Sequence, residues 1–225
     1  MRIAVLVAVS LLIAGCSHGA GEHAGHSSSG TATSATSSAN PSSGNPQPAA
    51  GPAAGAPISA VIAWIEAGHP ADPVRYHNAA RDGVTTELGS DVAFSVPGGA
   101  VACTTDVKHT GGALACLVKL TNPPPAPATA YGEWKAGWVD FDGTNLQVGS
   151  THPDPGPFIL GNGPELANGD SLSFGDYRCR SEQNTVVCAS YAHQSAARLS
   201  PAGVEPFGCL RSVPPPDGVG TALRC

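Results

Sequence analysis

Residues 103–116 read CTTDVKHTGGALAC, and residues 179–188 read CRSEQNTVVC. In each stretch two cysteines flank a short segment of turn-forming residues, and the residues beside the cysteines include β-branched and apolar side chains. This arrangement is typical of a β-hairpin whose two strands are joined by a disulfide bond. The two stretches therefore predict a chain built on cross-linked antiparallel hairpins.

The remaining cysteines fit the same plan. Apart from Cys16, the sequence contains six cysteines, an even number that indicates a disulfide framework in an exported domain. Their local spacing favours three pairs: Cys103 with Cys116, Cys179 with Cys188, and Cys209 with Cys225. A zinc site is the alternative, but no pair of cysteines in this chain has the CxxC spacing. We therefore predict three disulfides, each worth about 3 kcal/mol through restriction of the unfolded chain.

The composition and periodicity outside the cysteines also favour β structure. The 28 glycines and 21 prolines argue against long helices. One exception is the apolar spacing of Ile58, Val61, Ile62 and Ile65, which predicts an amphipathic helix ended by Gly68 and Pro70. The fold class is thus mainly β (β-rich α+β): a small, antiparallel, disulfide-stapled domain with one N-terminal amphipathic helix.

Several strands can be placed. Alternation predicts a strand at Val92–Val96, a strand at Leu114–Leu120 paired with the one around Cys103, and a hairpin formed by Trp134–Phe141 and Leu146–Val148. Residues 170–188 repeat the order of the segment around Cys103 and Cys116: strand, cysteine, turn, strand, cysteine. The echo is short, so duplication is left open.

The beginning of the chain carries export signals. Residues 1–15 have a basic start and a short apolar run, as a signal peptide does. The run ends in Ile13-Ala14-Gly15-Cys16, a lipobox-like sequence that predicts lipidation of Cys16. Residues 16–56 form a Ser/Thr/Ala/Gly/Pro-rich stalk with too little apolar surface to fold, and residues 57–225 form a single β-rich domain. We expect attachment to the extracytoplasmic face of the plasma membrane through diacylglycerol and palmitate, without a membrane-spanning helix.

The charge and motifs argue against several partners. With 11 Lys and Arg and a net charge of −6, the chain lacks the basic stripe that nucleic-acid binding requires. His18, Glu22, His23 and His26 could form a metal-scavenging tract, but a Gly/Ala-rich coil does not hold ligands in a fixed geometry. No phosphate-binding loop is visible, so we predict no cofactor and no metal site.

Three aromatic residues, Tyr131, Trp134 and Trp138, are weak candidates for ligand binding. Exposed on a strand face, they would offer a flat platform for a glycan or a protein. The competing interpretation is that Trp134, Ala136 and Trp138 alternate as packing residues. Glycosidase carboxylates at Glu133, Asp140 and Asp142 are a further alternative, although Asp142-Gly143 fits an ordinary turn.

The sequence is also similar to known envelope proteins. Residues 94–99 (FSVPGG) with Cys103 and Cys116, and residues 172–179 (LSFGDYRC) with Cys188, resemble a secreted cysteine-hairpin domain of actinobacteria. Residues 1–16, 56–68 and 131–134 resemble mycobacterial envelope lipoproteins. This resemblance implies a location and an architecture. It carries no catalytic residues, because the cysteine-hairpin domain has no established activity.

The leading hypothesis is a non-enzymatic binding module that recognises an envelope lipid, a glycan or another wall protein. The alternative is a small envelope hydrolase whose serine and histidine come together only in the fold, with His77, His109, His152 or His193 as the base. A serine near a histidine that is oriented by a carboxylate would favour the hydrolase.

Overall fold

The computed structural model describes residues 51–151 and 156–225, all within a compact unit that spans Pro46–Cys225. The predicted signal peptide, Cys16, the stalk up to residue 50 and His152 lie outside the described residues. Residues 51–56, assigned to the stalk from sequence, pack onto the domain, with Pro52 buried. Within the described ranges, no helix is both long enough and apolar enough to cross a bilayer.

One sheet contains seven antiparallel strands in the order β14-β15-β8-β7-β6-β5-β4. Their bounds are β4 Ala93–Ser95, β5 Val101–Thr105, β6 Leu114–Val118, β7 Lys135–Phe141, β8 Asn145–Ser150, β14 Arg211–Val213 and β15 Val219–Arg224. The second sheet contains six strands in the order β1-β9-β10-β11-β12-β13. Its strands are β1 His69–Pro70, β9 Asp170–Phe174, β10 Tyr177–Glu182, β11 Thr185–Ser190, β12 Ser195–Ser200 and β13 Gly203–Gly208.

The smaller elements surround these sheets. They are the helices α1 Ile58–Glu66 and α2 Val107–Thr110, the hairpin β2 Asn78–Arg81 with β3 Val84–Glu87, and short 3-10 helices at Pro73–Tyr76, Pro97–Gly99 and Gly156–Phe158. All strand pairs are antiparallel except β1 with β9. The prediction of a mainly β, antiparallel domain with an N-terminal amphipathic helix is confirmed.

The core lies between the two sheets, which face each other across one apolar cluster. Its aromatic rings bridge the layers: Phe94 of β4 is 6.0 Å from Phe174 of β9, and Phe141 of β7 is 5.9 Å from Tyr177 of β10 (ring centroids). A smaller cluster lies on the other side of the six-stranded sheet, where Val61 and Ile65 of α1 pack on the strands. The helix forms because its apolar face covers this outer surface.

The predicted disulfides Cys103–Cys116, Cys179–Cys188 and Cys209–Cys225 are all present. The first joins β5 to β6 and the second joins β10 to β11, each between directly opposed residues. Their Cα atoms are 4.0 Å apart, close to the short spacing of non-hydrogen-bonded antiparallel pairs, which places the two sulfur atoms within bonding reach. Both bonds lie in the core between the sheets.

The sequence echo extends to two five-stranded meanders of equivalent register. In the seven-stranded sheet, successive partners across β4 to β8 are Phe94, Cys103, Cys116, Val139 and Val148. In the six-stranded sheet, successive partners across β9 to β13 are Leu172, Cys179, Cys188, Ala197 and Pro206. The disulfide therefore joins the second and third strands of each meander, and the residues paired at this level of one have equivalents in the other.

Candidate functional site

An open groove crosses the outer face of the seven-stranded sheet, the face that points away from the core. It consists of two adjoining pockets of about 200 and 300 Å³ that share Asn145 and Gln147. The first is otherwise lined by His109, Thr110, Ala113, Asp140 and Asp142, and the second by Val213, Pro214, Pro216, Ala222, Leu223 and Arg224. We call this feature the outer groove. It combines a polar end with an apolar wall.

A turn between β7 and β8 fixes the polar end. Asp142 accepts hydrogen bonds from the backbone N–H groups of Thr144 (2.7 Å) and Asn145 (2.6 Å), and also from both of their side chains. Such an Asx turn is what Asp followed by Gly favours. Burial tends to raise the pKa of Asp142, but the hydrogen bonds from Asn145 and Thr144 outweigh it, so that this pKa lies below its usual value.

Asn145 connects the turn to the apolar wall. Its side-chain N–H donates to Asp142 Oδ2 at 2.8 Å, and its Oδ1 accepts from Arg224 Nε at 2.9 Å. Both ends of this amide are therefore occupied. At the far rim, Asp106 caps α2 by accepting from the backbone of Lys108 and His109, and its second oxygen lies 2.5 Å from His109 Nδ1. The groove has a frame held by internal hydrogen bonds.

Gln147 differs from these framing residues. Its half-buried side chain makes no hydrogen bond to another residue within the part of the chain that the structure describes. It lies directly across the strands from Asp140. An amide offers both donor and acceptor groups, so the Gln147 side chain presents both to the groove.

The equivalent positions of the other meander carry a different pair of side chains. Arg198 and Glu205 of the six-stranded sheet correspond to Asp140 and Gln147. Their side chains form an ion pair with Nη1 and Oε2 2.5 Å apart. One outer face thus has an ion pair across its strands, whereas the other has Asp140 opposite the free amide of Gln147, and both of these residues line the groove.

The predicted aromatic candidates do not form an exposed platform. Tyr131 is 94% exposed, whereas Trp138 is only 1% exposed and packs edge-to-face on Phe158, with ring centroids 5.5 Å apart. Trp134 precedes β7 and lies over Gly149, where an added Cβ would come within 2.6 Å of the indole ring. A register shift between Lys135 and Val139 also interrupts the expected alternation from Trp134 to Trp138. The hypothesis of a flat patch of Trp134 and Trp138 is therefore not supported.

The hydrolase alternative requires a serine close to a histidine and a carboxylate, and the fold brings Ser190 close to both. Ser190 Oγ lies 3.0 Å from His193 Nδ1 and donates to Asp176 Oδ2 at 2.5 Å. In a serine triad the carboxylate orients the histidine, which leaves the serine free to attack. Here Asp176 instead holds the serine, and its other oxygen accepts from the Ala192 N–H.

The serine of this cluster is also covered. Ser190 is only 1% exposed, and the backbone of Gly143 lies over it so tightly that an added Cβ would come within 2.5 Å of Ser190 Oγ. The Gly143 carbonyl accepts from Ser195 Oγ at 2.5 Å. Ser190 is therefore covered where the β7–β8 turn docks on the β11–β12 connection, whereas His193 is exposed and Asp176 is half-buried.

The other histidines considered from sequence lie apart. His77 Nδ1 is 2.8 Å from the Asp91 carbonyl oxygen, and His109 belongs to the rim of the outer groove. In the described residues, no group of three or more His, Cys, Asp or Glu side chains could hold a metal ion. Asp140 and His109 were separate candidates from the sequence. Gln147 was not a candidate, because an isolated glutamine belongs to no recognisable binding motif.

Comparison with known proteins adds no relative to this description. No protein-family model, no curated protein and no solved structure matches the chain.

Proposed function

We propose that the chain is a cell-envelope lipoprotein whose domain is a non-enzymatic binding module, displayed on the outer face of the plasma membrane. The observation that carries the binding role is the side-chain amide of Gln147 in the outer groove, which makes no hydrogen bond to another described residue, at the position where the other meander has Glu205 in an ion pair with Arg198. A disulfide between neighbouring strands of each sheet and a turn held by hydrogen bonds make the groove rigid before a ligand binds. This rigidity reduces the entropy cost of binding.

Among the envelope ligands considered, the groove favours a glycan. Sugar hydroxyls both donate and accept, which matches a carboxylate beside a free amide. The C–H faces of a sugar ring suit the apolar wall of Val213, Pro214 and Pro216. A lipid chain would require a large apolar cavity, whereas the two adjoining pockets measure only about 200 and 300 Å³ and have polar lining residues.

Attachment to the envelope rests on sequence features. The apolar run of residues 1–15 and the lipobox-like residues before Cys16 support export and lipidation, and the similarity to mycobacterial lipoproteins supports the same location. Replacing Cys16 by serine should move the protein from the membrane fraction to the soluble fraction. Continued tight association with the membrane would contradict this attachment.

Binding is best tested first without assuming the ligand. The protein is purified from its own envelope in mild detergent and examined by native mass spectrometry for an adduct that disappears on denaturation. Glycan fragments prepared from the same cell wall are then titrated in solution. We expect Gln147→Ala to weaken binding about tenfold, because a buried polar contact to the ligand is lost.

The matched control is Gln183→Ala, which removes an exposed glutamine from the β10–β11 turn, outside the groove. This variant should bind as the unmodified protein does. Equal affinity of the Gln147→Ala variant and the unmodified protein would remove the groove from the proposal. A purified protein that carries no adduct and binds no wall fragment would contradict the glycan-binding role.

A further inference from the structure

The three disulfides differ in their access to solvent. Cys103, Cys116, Cys179 and Cys188 are all at most 1% exposed, and their sulfurs lie between the two sheets. Cys209 and Cys225 are both exposed. Thiol–disulfide exchange requires a thiolate to approach a sulfur atom directly. Burial therefore protects the first two bonds, whereas the third bond, between exposed cysteines, is accessible to attack.

The exposed disulfide occupies a particular place in the fold. Cys209 lies in the crossover from β13 of the six-stranded sheet to β14 of the seven-stranded sheet, and Cys225 follows β15. The bond therefore closes one end of the β14–β15 hairpin, next to the cross-strand pair Arg211 and Arg224. The backbone N–H of Cys225 donates to the Thr144 carbonyl at 2.9 Å, which ties this end to the β7–β8 turn.

The local charge suits exchange chemistry. Arg224 adjoins Cys225 in sequence, and its strand partner Arg211 lies two residues from Cys209. Two guanidinium groups attract an anionic thiolate and stabilise the thiolate that leaves when the disulfide opens. Reactive sulfur sites are typically electropositive and partly exposed, and Cys209–Cys225 is an exposed pair with an arginine within two residues of each cysteine.

We propose that Cys209–Cys225 is a thiol–disulfide exchange site that a dithiol reductant opens in the folded protein. One thiolate of the reductant attacks a sulfur of the pair and forms a mixed disulfide. The bond between Cys209 and Cys225 breaks, and the released cysteine thiolate takes up a proton. The second thiol of the reductant then displaces the other cysteine, so the reductant ends as a disulfide and the protein gains two thiols.

Opening this bond loosens the edge of the molecule that carries the groove wall. The Cys225–Thr144 hydrogen bond and the Arg224–Asn145 contact lie within two residues of the disulfide and lose its constraint. The core between the sheets keeps its own two disulfides, so the fold survives. The exchange site stands whether or not the groove binds a glycan, because it depends only on the exposure and surroundings of the two sulfurs.

The experiment uses the full chain with all three disulfides formed. It is exposed to dithiothreitol without denaturant, the reaction is quenched with iodoacetamide at intervals, and each cysteine is located by peptide mass spectrometry. We expect Cys209 and Cys225 to be alkylated at least ~10-fold faster than the four buried cysteines, while circular dichroism stays unchanged. In denaturant, all six should react together.

Two results would overturn the proposal. One is simultaneous reduction of all three bonds, and the other is no reduction of Cys209–Cys225 before the protein unfolds. The part played by charge is tested with Arg224→Gln, which should slow opening of this bond by roughly threefold. Arg178→Gln, an arginine of the other sheet, is the matched control, and equal rates for the two variants would refute the role of Arg224.

Discussion

Replacing Gly143 by alanine tests whether the Ser190 cluster is a closed packing contact. Gly143 has a φ of +91°, and its added Cβ would lie 2.5 Å from Ser190 Oγ and 2.7 Å from His193 Nδ1. The left-handed backbone alone should cost an alanine about 1–2 kcal/mol. Forcing a methyl group into a packed contact adds about 1–3 kcal/mol. We therefore expect Gly143→Ala to lower the free energy of unfolding by about 2–5 kcal/mol.

Gly83→Ala separates these two costs. Gly83 follows Asp82 in the β2–β3 turn and has a φ of +81°, but no atom lies within 4 Å of its added Cβ. This variant should therefore show only the backbone cost of about 1–2 kcal/mol. The expected difference between the two variants is about 1–3 kcal/mol, or roughly 2–12 °C in melting temperature for a domain of this size.

The assay is urea unfolding of both variants under identical conditions, followed by tryptophan fluorescence. Ser190→Ala combined with Gly143→Ala completes the comparison, because removal of the serine oxygen relieves part of the clash. The double variant should therefore be less destabilised than the sum of the two single variants. Equal destabilisation by Gly143→Ala and Gly83→Ala, with additive effects of Ser190→Ala, would refute the closed contact and make Ser190 accessible again as a nucleophile.

Three further predictions concern stability. Burial raises the pKa of Tyr177 to about 12. Between the ordinary tyrosine pKa of about 10 and pH 12 only the unfolded state ionises, so the protein should lose stability in this range. The variant Tyr177→Phe should lack this part of the alkaline loss when the free energy of unfolding is measured against pH. The pKa of Asp142 lies below its usual value, so its contribution is present above about pH 4 and is lost as the pH falls further, and Asp142→Asn should flatten this acid limb. Replacing both Cys103 and Cys116 by alanine should cost about 3 kcal/mol in urea unfolding, and a loss well below 1 kcal/mol would contradict the stapling role of this pair.

Local patterns were sufficient to predict the hairpins and the disulfides. The turn at residues 181–184 and the alternation around Cys179 and Cys188 act within a few residues, so the pairing follows from the sequence alone. The amphipathic helix at Ile58–Glu66 was predictable for the same reason, since its apolar spacing lies within one element. These predictions required no knowledge of distant contacts.

Contacts between distant segments were not predictable. The alternation favoured Trp138 as a packing residue over a residue of an exposed platform, and Trp138 is indeed buried, but its partner Phe158 comes from a separate segment that the strand pattern does not indicate. Ser190 and Gly143 meet because the β7–β8 turn of one sheet reaches the β11–β12 connection of the other. Such approaches depend on how the two sheets are stacked, and a single sequence contains no local signal for that.

The comparison of the two meanders gives the strongest reason to look for function in the outer groove. Once Cys116 and Cys188 are aligned as equivalent positions, Gln147 becomes the counterpart of Glu205 and Asp140 the counterpart of Arg198. In the six-stranded sheet, Arg198 and Glu205 form an ion pair at this position, on the same outer face as the apolar cluster beneath α1. In the groove, the side-chain amide of Gln147 makes no hydrogen bond to another described residue, so the stability of the fold gives no reason for a glutamine at this position. A binding role supplies that reason, and it predicts that Gln147→Glu, which places two carboxylates across the strands, should impair ligand binding more than it impairs folding, because a like-charge pair across two strands costs only about 0.2–1 kcal/mol.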